Sequence, residues 1–355
     1  MAKRLVVYGA GAIGAQLGSR LHSGGHDVTL VEPWAPQRKA IARDGVTIHD
    51  SASGKPDEHH IPPVISPDDL PRLPGPIDIL FMCVKSYDTM RSIEIALPHL
   101  APDGLLVSMQ NSINEEWLAP VVGAERLVGG VILINAVLLT PGHVTATASV
   151  SMASATAMPG VYVGEYLAPV GQKAREVAAI LDAVWPAQVI DDLMHQRWSK
   201  LAINTMMNSV SAITGLRSAS MLANPEARAA LINLGAEVLR VASAEGYPLG
   251  SIMADYPADV VYEGAAGRSS VMDDGLAERA KRVSDDAATS MLQDVLRKRQ
   301  TEVDYFSGLI GVKGREHGVP TPYCDAMTEL AHRVEAGSQE PTPEVLLEVS
   351  RLVSR

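Results

Sequence analysis

Between Trp198 and Ile213 the sequence places Lys200, Asn204 and Asn208 at i, i+4 and i+8, with Ser211 at i+11. At 100° per residue these four share a helical face about 80° wide. Leu201, Ile203 and Met207 flank it. A solvated face ordinarily uses Glu, Lys and Arg, whereas Asn is a poor helix former kept for its hydrogen bonds. A Lys and two Asn between large apolar flanks therefore predict a wet cleft lined by a buried helix. Desolvation lowers the pKa of such a Lys. It can then give a proton to a carbonyl oxygen as hydride arrives at the carbon. A carboxylate nearby would restore the charged, donating form.

A hydride source is suggested at the other end of the chain. Gly9-Ala10-Gly11-Ala12-Ile13-Gly14 fits G-x-G-x-x-G directly after the apolar run Leu5–Tyr8 and opens a helix. Gly9 permits the tight turn, Gly11 lets the backbone approach a pyrophosphate, and Gly14 lets helix and strand pack closely. The helix N-terminus offers free N–H groups to the phosphates. A second apolar run, Val28–Val31, ends at Glu32, eighteen residues past Gly14. That is where an acidic residue bonds the adenine ribose hydroxyls, and its charge would repel a 2′-phosphate. The expected cofactor is NAD or NADP, with Glu32 favouring NAD and Arg38 and Lys39 close enough to meet a phosphate.

These residues need a scaffold. Leu5–Tyr8, Val28–Val31, Ile79–Val84, Leu105–Met109 and Leu127–Leu139 are near-continuous apolar runs, as strands buried on both faces are. Helical stretches such as Ile13–Ser23 and Ser86–Leu97 separate them, predicting an α/β fold with a parallel, doubly wound sheet. Asp50–Pro76 reads as a loop or a peripheral excursion, and Val144–Tyr166 as antiparallel strands closing this domain. From about Asp191 the period becomes helical, in His195–Leu216, Pro225–Glu245, Ser284–Glu316 and Pro343–Val353. The expected domains are 1–190, binding the dinucleotide, and 191–355, all-helical and carrying the catalytic stripe.

Composition narrows the class. Thirty Lys and Arg against 41 Asp and Glu give a net charge of −11, which argues against nucleic acid as a partner. Two cysteines, Cys83 and Cys324, exclude a disulfide scaffold and a Cys-rich zinc site. No His pair has metal-binding helical spacing with a third ligand, so no metal is expected. No run approaches the ~18 apolar residues of a membrane span. A cytoplasmic protein is expected.

The chain resembles the ketopantoate reductase family. The resemblance rests on Gly9–Gly14, Val84-Lys85-Ser86-Tyr87-Asp88-Thr89, Gln110-Asn111, Trp198–Asn208, Ser290-Met291-Leu292-Gln293-Asp294 and Thr301-Glu302-Val303-Asp304-Tyr305, in that order over almost the whole chain. It implies a Rossmann domain followed by a helical domain like that of 6-phosphogluconate dehydrogenase, with catalysis in the cleft between them. It implies that Lys200 is the general acid for a 2-oxo acid and that Glu302 sits near Lys200 and the nicotinamide ribose. Asn204, Asn208 and Ser290 would bind substrate. Lys85, Asn111 and the backbone at Ala136 would contact the cofactor, with Asn111 near the substrate too. A small-molecule 2-oxo acid or 2-hydroxy acid is the implied partner. A homodimer is plausible on the general ground that helical second domains often associate.

Four departures bear on the substrate and cofactor. Ser112 follows the Asn of the third motif, where the family usually has Gly. Two further Asn of ketopantoate-specific members align with Ser218 and Ala287. Glu32-Pro33 stands where NADP-using members carry a basic residue. Extra residues occur around Thr145–Pro159 and Tyr256–Asp274. An NAD-dependent D-2-hydroxyacid dehydrogenase for another branched or aromatic substrate is the alternative within this chemistry. Outside it stands a dinucleotide-sensing regulator, which would have no need of a general acid.

Overall fold

A computed structural model describes residues 3–50, 56–146, 159–253, 255–283 and 288–353. The chain divides into two compact units, Met1–Met194 and His195–Arg355.

In chain order, the strands of the first unit are β1 (Arg4–Tyr8), β2 (Asp27–Val31), β3 (Val46–Asp50), β4 (Glu58–His60), β5 (Val64–Ile65), β6 (Ile77–Met82), β7 (Leu100–Ser108), β8 (Leu127–Ile132), β9 (Ala136–Thr140), β10 (His143–Ala146), β11 (Val161–Glu165) and β12 (Ala187–Val189). Its helices are α1 (Ala12–Ser23), α2 (Ala35–Asp44), α3 (Thr89–Ala96), α4 (Glu115–Val122) and α5 (Gln172–Leu181). Eight strands form one sheet in the order β12-β11-β8-β7-β6-β1-β2-β5. Every pairing in it is parallel except β11 against β8. Strands β1, β6 and β7 bury almost all their side chains, since Leu5, Val7, Ile79, Phe81 and Val107 belong to the core beneath the helices. The chain runs outward from β1 through β2, then returns to β6 on the other side of β1. That reversal opens a crevice at the carboxyl ends of β1 and β6, the usual ligand position in such sheets.

A second, four-stranded sheet has the order β4-β3-β10-β9, and it corrects two expectations. Leu127–Leu139 is not one strand. The chain breaks before Ala136, and β8 and β9 enter different sheets. Both halves are apolar, so the run reads as continuous and only Asn135 marks the break. The segment predicted as a loop or a peripheral excursion carries β4, β5 and a short turn of 3-10 helix, Pro67–Arg72. The Glu-His-His of β4 has no apolar signal because polar bonds hold it. Arg20 of α1 donates to both carboxylate oxygens of Glu58 at 2.9 Å, and His60 Nδ1 lies 3.1 Å from Ser23 Oγ. Within Val144–Tyr166, β10 and β11 each make one antiparallel pairing, with β9 and β8, and one parallel pairing, with β3 and β12. Residues 147–158, part of the extra stretch Thr145–Pro159, lie outside the described residues.

The second unit contains α6 (Leu193–Thr214, which begins at the boundary), α7 (Ser218–Ala223), α8 (Pro225–Ala244), α9 (Ala258–Ala265), α10 (Val271–Ala280), α11 (Ser290–Leu296), α12 (Ser307–His317), α13 (Pro322–Glu335) and α14 (Leu346–Val353). Among the described residues it departs from all-helical in the two-residue pair β13 (Ser251–Ile252) and β14 (Tyr256–Pro257). Helix α6 stops before Gly215, whose φ of 71° no helix accommodates. The buried Trp198 and Met206 face inward, and Gly235 of α8 admits Met206 Sδ to 3.2 Å from where a Cβ would stand. The stretch expected as helical over Ser284–Glu316 is interrupted. Helix α11 ends at Leu296, two residues before Lys298 with φ 53°, and a 3-10 turn over Val303–Tyr305 precedes α12. Residues 284–287, including Ala287, lie outside the described residues. The extra stretch Tyr256–Asp274 forms β14, α9 and the start of α10. Asp273 there receives a bidentate Arg228 from α8 at 2.7 and 3.1 Å.

Candidate active site

In the first unit the predicted residues gather at one edge of the sheet. Gly9 follows β1, Glu32 follows β2, Lys85 lies three residues past β6, and Asn111 three past β7. These strands are parallel neighbours, so their carboxyl ends coincide. The glycine positions have separate physical grounds. Gly9 has φ 95°, and a Cβ there would stand 2.9 Å from the Cys83 and Val84 backbone. A Cβ on Gly14 would stand 1.9 Å from the Gly9 carbonyl oxygen. Nothing lies within 4 Å of a Cβ on Gly11. Helix α1 begins there without a side-chain cap or an acidic residue in its first turn. Its first N–H groups and the open space above Gly11 suit the pyrophosphate of a dinucleotide.

Glu32 is buried and already bound. Its Oε2 accepts from Ala10 N–H at 2.6 Å and its Oε1 from Trp34 N–H at 2.6 Å. It is therefore not a solvent-exposed loop residue. A carboxylate offers about four lone-pair sites, enough to accept from several donors at once. Arg38 turns its guanidinium onto the Glu32 and Pro33 carbonyl oxygens, at 2.6 and 3.1 Å. Ala136 opens β9 in the second sheet, paired with Ala146, four residues after β8 ends at Ile132.

A buried polar network fixes the loops bearing Lys85 and Asn111. Gln110 Nε2 donates to Val84 O at 3.1 Å and to Thr89 Oγ1 at 2.6 Å. Thr89 Oγ1 donates to Asn114 Oδ1 at 3.0 Å, and Asn114 Nδ2 donates to Asn111 O at 2.5 Å and to Ser86 Oγ at 3.3 Å. Asn114 was not evident from sequence, because one buried Asn after a strand has no periodic signature. The turn at Ser112 shows why Gly is usual at this position. Its φ is 69° and it is buried, so the turn demands the left-handed conformation that Gly supplies freely.

In the second unit α6 presents the stripe. Asn208 is buried, Lys200 and Asn204 half-buried, so the face is not a solvated one. Ser290 Oγ and Met291 N–H both donate to Asn208 Oδ1, at 3.0 and 3.1 Å, which joins α11 to α6. Asn208 Nδ2 donates to Asn204 Oδ1 at 3.3 Å. Asn204 Nδ2 is buried with no hydrogen-bond partner among the described residues. The structure thus brings Asn204, Asn208 and Ser290 into one chain that ends in an unused donor. Ser211 belongs elsewhere, since its hydroxyl closes the end of α6 on Leu216 O at 2.6 Å.

Burial, and after it the Arg197 guanidinium, push the Lys200 ammonium down to about 7, and the Glu302 carboxylate pulls it back up. Glu302 is only 2% exposed, so it is no surface ion-pair partner in a charged run. Its turn is anchored from α13, where Glu335 Oε1 accepts from Thr301 N–H at 2.7 Å and from Thr301 Oγ1 at 2.6 Å. Ser209 and Ser307, with Oγ atoms 3.0 Å apart, tie α6 to α12 beyond it. Arg197 is almost fully buried and was missed from sequence. Its position three before Lys200, on nearly the same face, was the available signal. Among the described residues no three His, Cys, Asp or Glu side chains converge as metal ligands, and no helix is long and apolar enough to cross a membrane.

Known proteins match on both units. Residues 5–156 fit the family model described as ketopantoate reductase PanE/ApbA, and residues 192–335 the model described as its C-terminal part. The 2-dehydropantoate 2-reductase of Archaeoglobus fulgidus is 28% identical over 340 residues, spanning 94% of this chain and 99% of the relative. That of Vibrio cholerae is 25% identical over 332 residues, spanning 93% and 97%. A PanE/ApbA family ketopantoate reductase structure from Ralstonia eutropha JMP134 matches with a TM-score of 0.74 at 25% identity, covering 95% of this chain and all of that one. A ternary structure of D-mandelate dehydrogenase with NADH and anilino(oxo)acetate matches with a TM-score of 0.76 at 23% identity, covering 94% and 99%, a likeness of fold.

The turn at Ser112 yields a test. A β-branched side chain is a genuine outlier at positive φ, so Ser112→Val should cost about 2 kcal/mol or more of unfolding free energy. Ser112→Gly should stay within about 1 kcal/mol of the parent. Urea denaturation of both variants checks the pair, and equal stability of the two would show that the backbone constraint is not felt.

Proposed function

The chain belongs to the ketopantoate reductase family, and from that premise we propose that it reduces a 2-oxo acid to the 2-hydroxy acid with a nicotinamide dinucleotide. 2-Dehydropantoate 2-reductase is the nearest named activity, being that of the relatives matched over nearly their whole length. The observation that carries the reading is Lys200, a half-buried ammonium brought to about 7 beside an amide chain with a spare donor.

When bound, the reduced dinucleotide supplies the hydride that C2 of the substrate accepts. Gly9, Ala10, Gly11, Ala12, Ile13 and Gly14 hold its pyrophosphate by backbone N–H groups. Glu32 takes the adenine ribose hydroxyls, and its charge, desolvated against the loop, disfavours a 2′-phosphate. Lys85, Asn111 and Ala136 line the nicotinamide side. Lys200 donates a proton to the C2 oxygen as negative charge develops there. Glu302 keeps that ammonium protonated, orients it, and meets the nicotinamide ribose. Arg197 opposes it, so the proton is released readily. Asn204, Asn208 and Ser290 bind the substrate carboxylate and any hydroxyl, with Asn111 completing the set. The free Nδ2 of Asn204 supports this assignment, because an unsatisfied buried donor costs about 1–3 kcal/mol unless a ligand takes it.

The decisive experiment measures initial rates on ketopantoate with NADH and with NADPH. Turnover faster with NADH supports both the chemistry and the role of Glu32. Faster turnover with NADPH removes the Glu32 assignment. No turnover with either, across ketopantoate and a panel of branched and aromatic 2-oxo acids, removes the enzymatic reading.

Lys200→Ala should lower kcat about 10²- to 10⁴-fold while dinucleotide binding by calorimetry persists. In the parent, the protonated Lys200 that reduction needs is lost as pH rises through about 7, so reduction should slow above that pH. Oxidation of the 2-hydroxy acid, which needs the neutral amine, should speed up over the same range. A flat pH profile for both directions would count against Lys200 as the acid.

Asn204→Leu should raise KM for the 2-oxo acid about tenfold, the loss of one hydrogen bond to a charged group. Its melting temperature should stay near the parent's, because the unpartnered Nδ2 is gone while the Asn208 Nδ2 loses its acceptor. A large fall in melting temperature with KM unchanged would make Asn204 a folding residue.

A further inference from the structure

The glycine loop is gripped from behind by a side chain that no motif identifies. Gln37, in the first turn of α2, is fully buried. Its Nε2 donates to the Ala10 carbonyl oxygen at 2.8 Å. Its Oε1 accepts from Gly142 N–H at 2.8 Å. Gly142 sits at φ 82° in the turn between β9 and β10, and its own carbonyl accepts from Thr47 N–H of β3 at 2.8 Å. One amide therefore spans the loop after β1 in the large sheet and the hairpin of the small sheet. On the other side of the same residue, Glu32 Oε2 accepts from Ala10 N–H at 2.6 Å. Both peptide planes flanking Ala10 are thus fixed, one by Glu32 and one by Gln37.

The second plane is the one that matters for a ligand. A trans peptide points its C=O and its N–H in opposite directions. The peptide joining Ala10 to Gly11 has its carbonyl turned inward to the buried Gln37, so its N–H, that of Gly11, is turned the other way. Around Gly11 the space a Cβ would take is empty to 4 Å. We propose that Gln37 is a positioning residue for dinucleotide binding, holding the Ala10–Gly11 peptide so that the Gly11 N–H faces the pyrophosphate. This rests on the dinucleotide reading of the glycine loop. It adds that the loop's affinity is set in part by a side chain that does not itself meet the ligand. A Gln does this because it offers a donor and an acceptor at once, one for Ala10 O and one for Gly142 N–H.

The probe is ADP-ribose, which carries the pyrophosphate without the nicotinamide and so does not sense Lys200. Its dissociation constant is measured by calorimetry for the parent, Gln37→Leu and Gln37→Glu, with circular dichroism and melting temperature on each. Gln37→Leu keeps the bulk and removes both bonds, and it should bind about tenfold more weakly, as one or two lost polar bonds imply. In a role confined to folding, the melting temperature falls while the affinity of the folded protein stays at the parent's value, and that result overturns the proposal. Gln37→Glu separates the cases if Gln37→Leu does not fold. A protonated carboxyl has the same donor and acceptor as the amide, and burial favours that form. Relative to the parent at each pH, its affinity should be near normal at about pH 5 and weaker by about fivefold or more at pH 8, where the carboxylate faces the Ala10 oxygen. A flat ratio across that range overturns the proposal. Absence of ADP-ribose and NADH binding to the parent overturns the dinucleotide reading and, with it, this one, a failure distinct from parent-like binding by the variants.

Discussion

The first turn of α1 lies so close to the end of β1 that a single methyl on Gly14 would collide with the Gly9 carbonyl at 1.9 Å. This contact sets the height of α1 above the large sheet. It also decides where the helix's unpaired N–H groups stand, because they begin two residues earlier at Ala12. The polar groups around the loop follow from the same closeness. A backbone brought this near the sheet cannot be solvated on its inner side, so its carbonyl and amide need protein partners. Glu32 and Gln37 supply them for Ala10. The outer side, over Gly11, is left open. The asymmetry of the site comes from one steric limit and the hydrogen bonds it obliges.

The helical unit solves a different problem, that of keeping a charged group useful away from bulk water. Lys200, Arg197 and Glu302 are three charges with two cations. Arg197 is permanently charged, so the balance falls on Lys200. Rigid supports surround it: Glu335 on the Thr301 turn, Ser209 against Ser307, and Ser290 and Met291 on Asn208. Each joins α6 or the Glu302 turn to a helix remote in sequence, so the site is held by tertiary bonds rather than by the helix alone.

Much of this was legible from residue order. The strands β1, β2, β6 and β7 announce themselves by near-continuous apolar runs, because both faces are covered. The glycine motif and the Lys-Asn-Asn stripe follow fixed periods. What stayed hidden has one cause, which is polar groups paired over long separations. Gln37 with Gly142, Asn114 with Ser86, and Glu335 with Thr301 have no local signature. The small sheet was missed for a related reason, since β4 is polar and β9 runs on from β8 with only Asn135 between. Ser211 fitted the stripe by angle yet serves the helix end, because periodicity gives a face and not a depth.

The small sheet also bears on how the chain acquires its shape. Strand β3 pairs with β10 at Thr47 and His143, a loop closure over roughly a hundred residues, and such non-local pairings slow folding. The large sheet is completed later still, by β12 at Ala187–Val189. During synthesis, the small sheet cannot close until β10 has emerged and the large sheet until β12 has, and β3 and β8 meanwhile expose unpaired edges. The helices that follow form from local contacts and face no such wait. The vulnerable interval in the life of this protein is therefore early on the ribosome, where unpaired apolar strands make chaperone engagement most valuable.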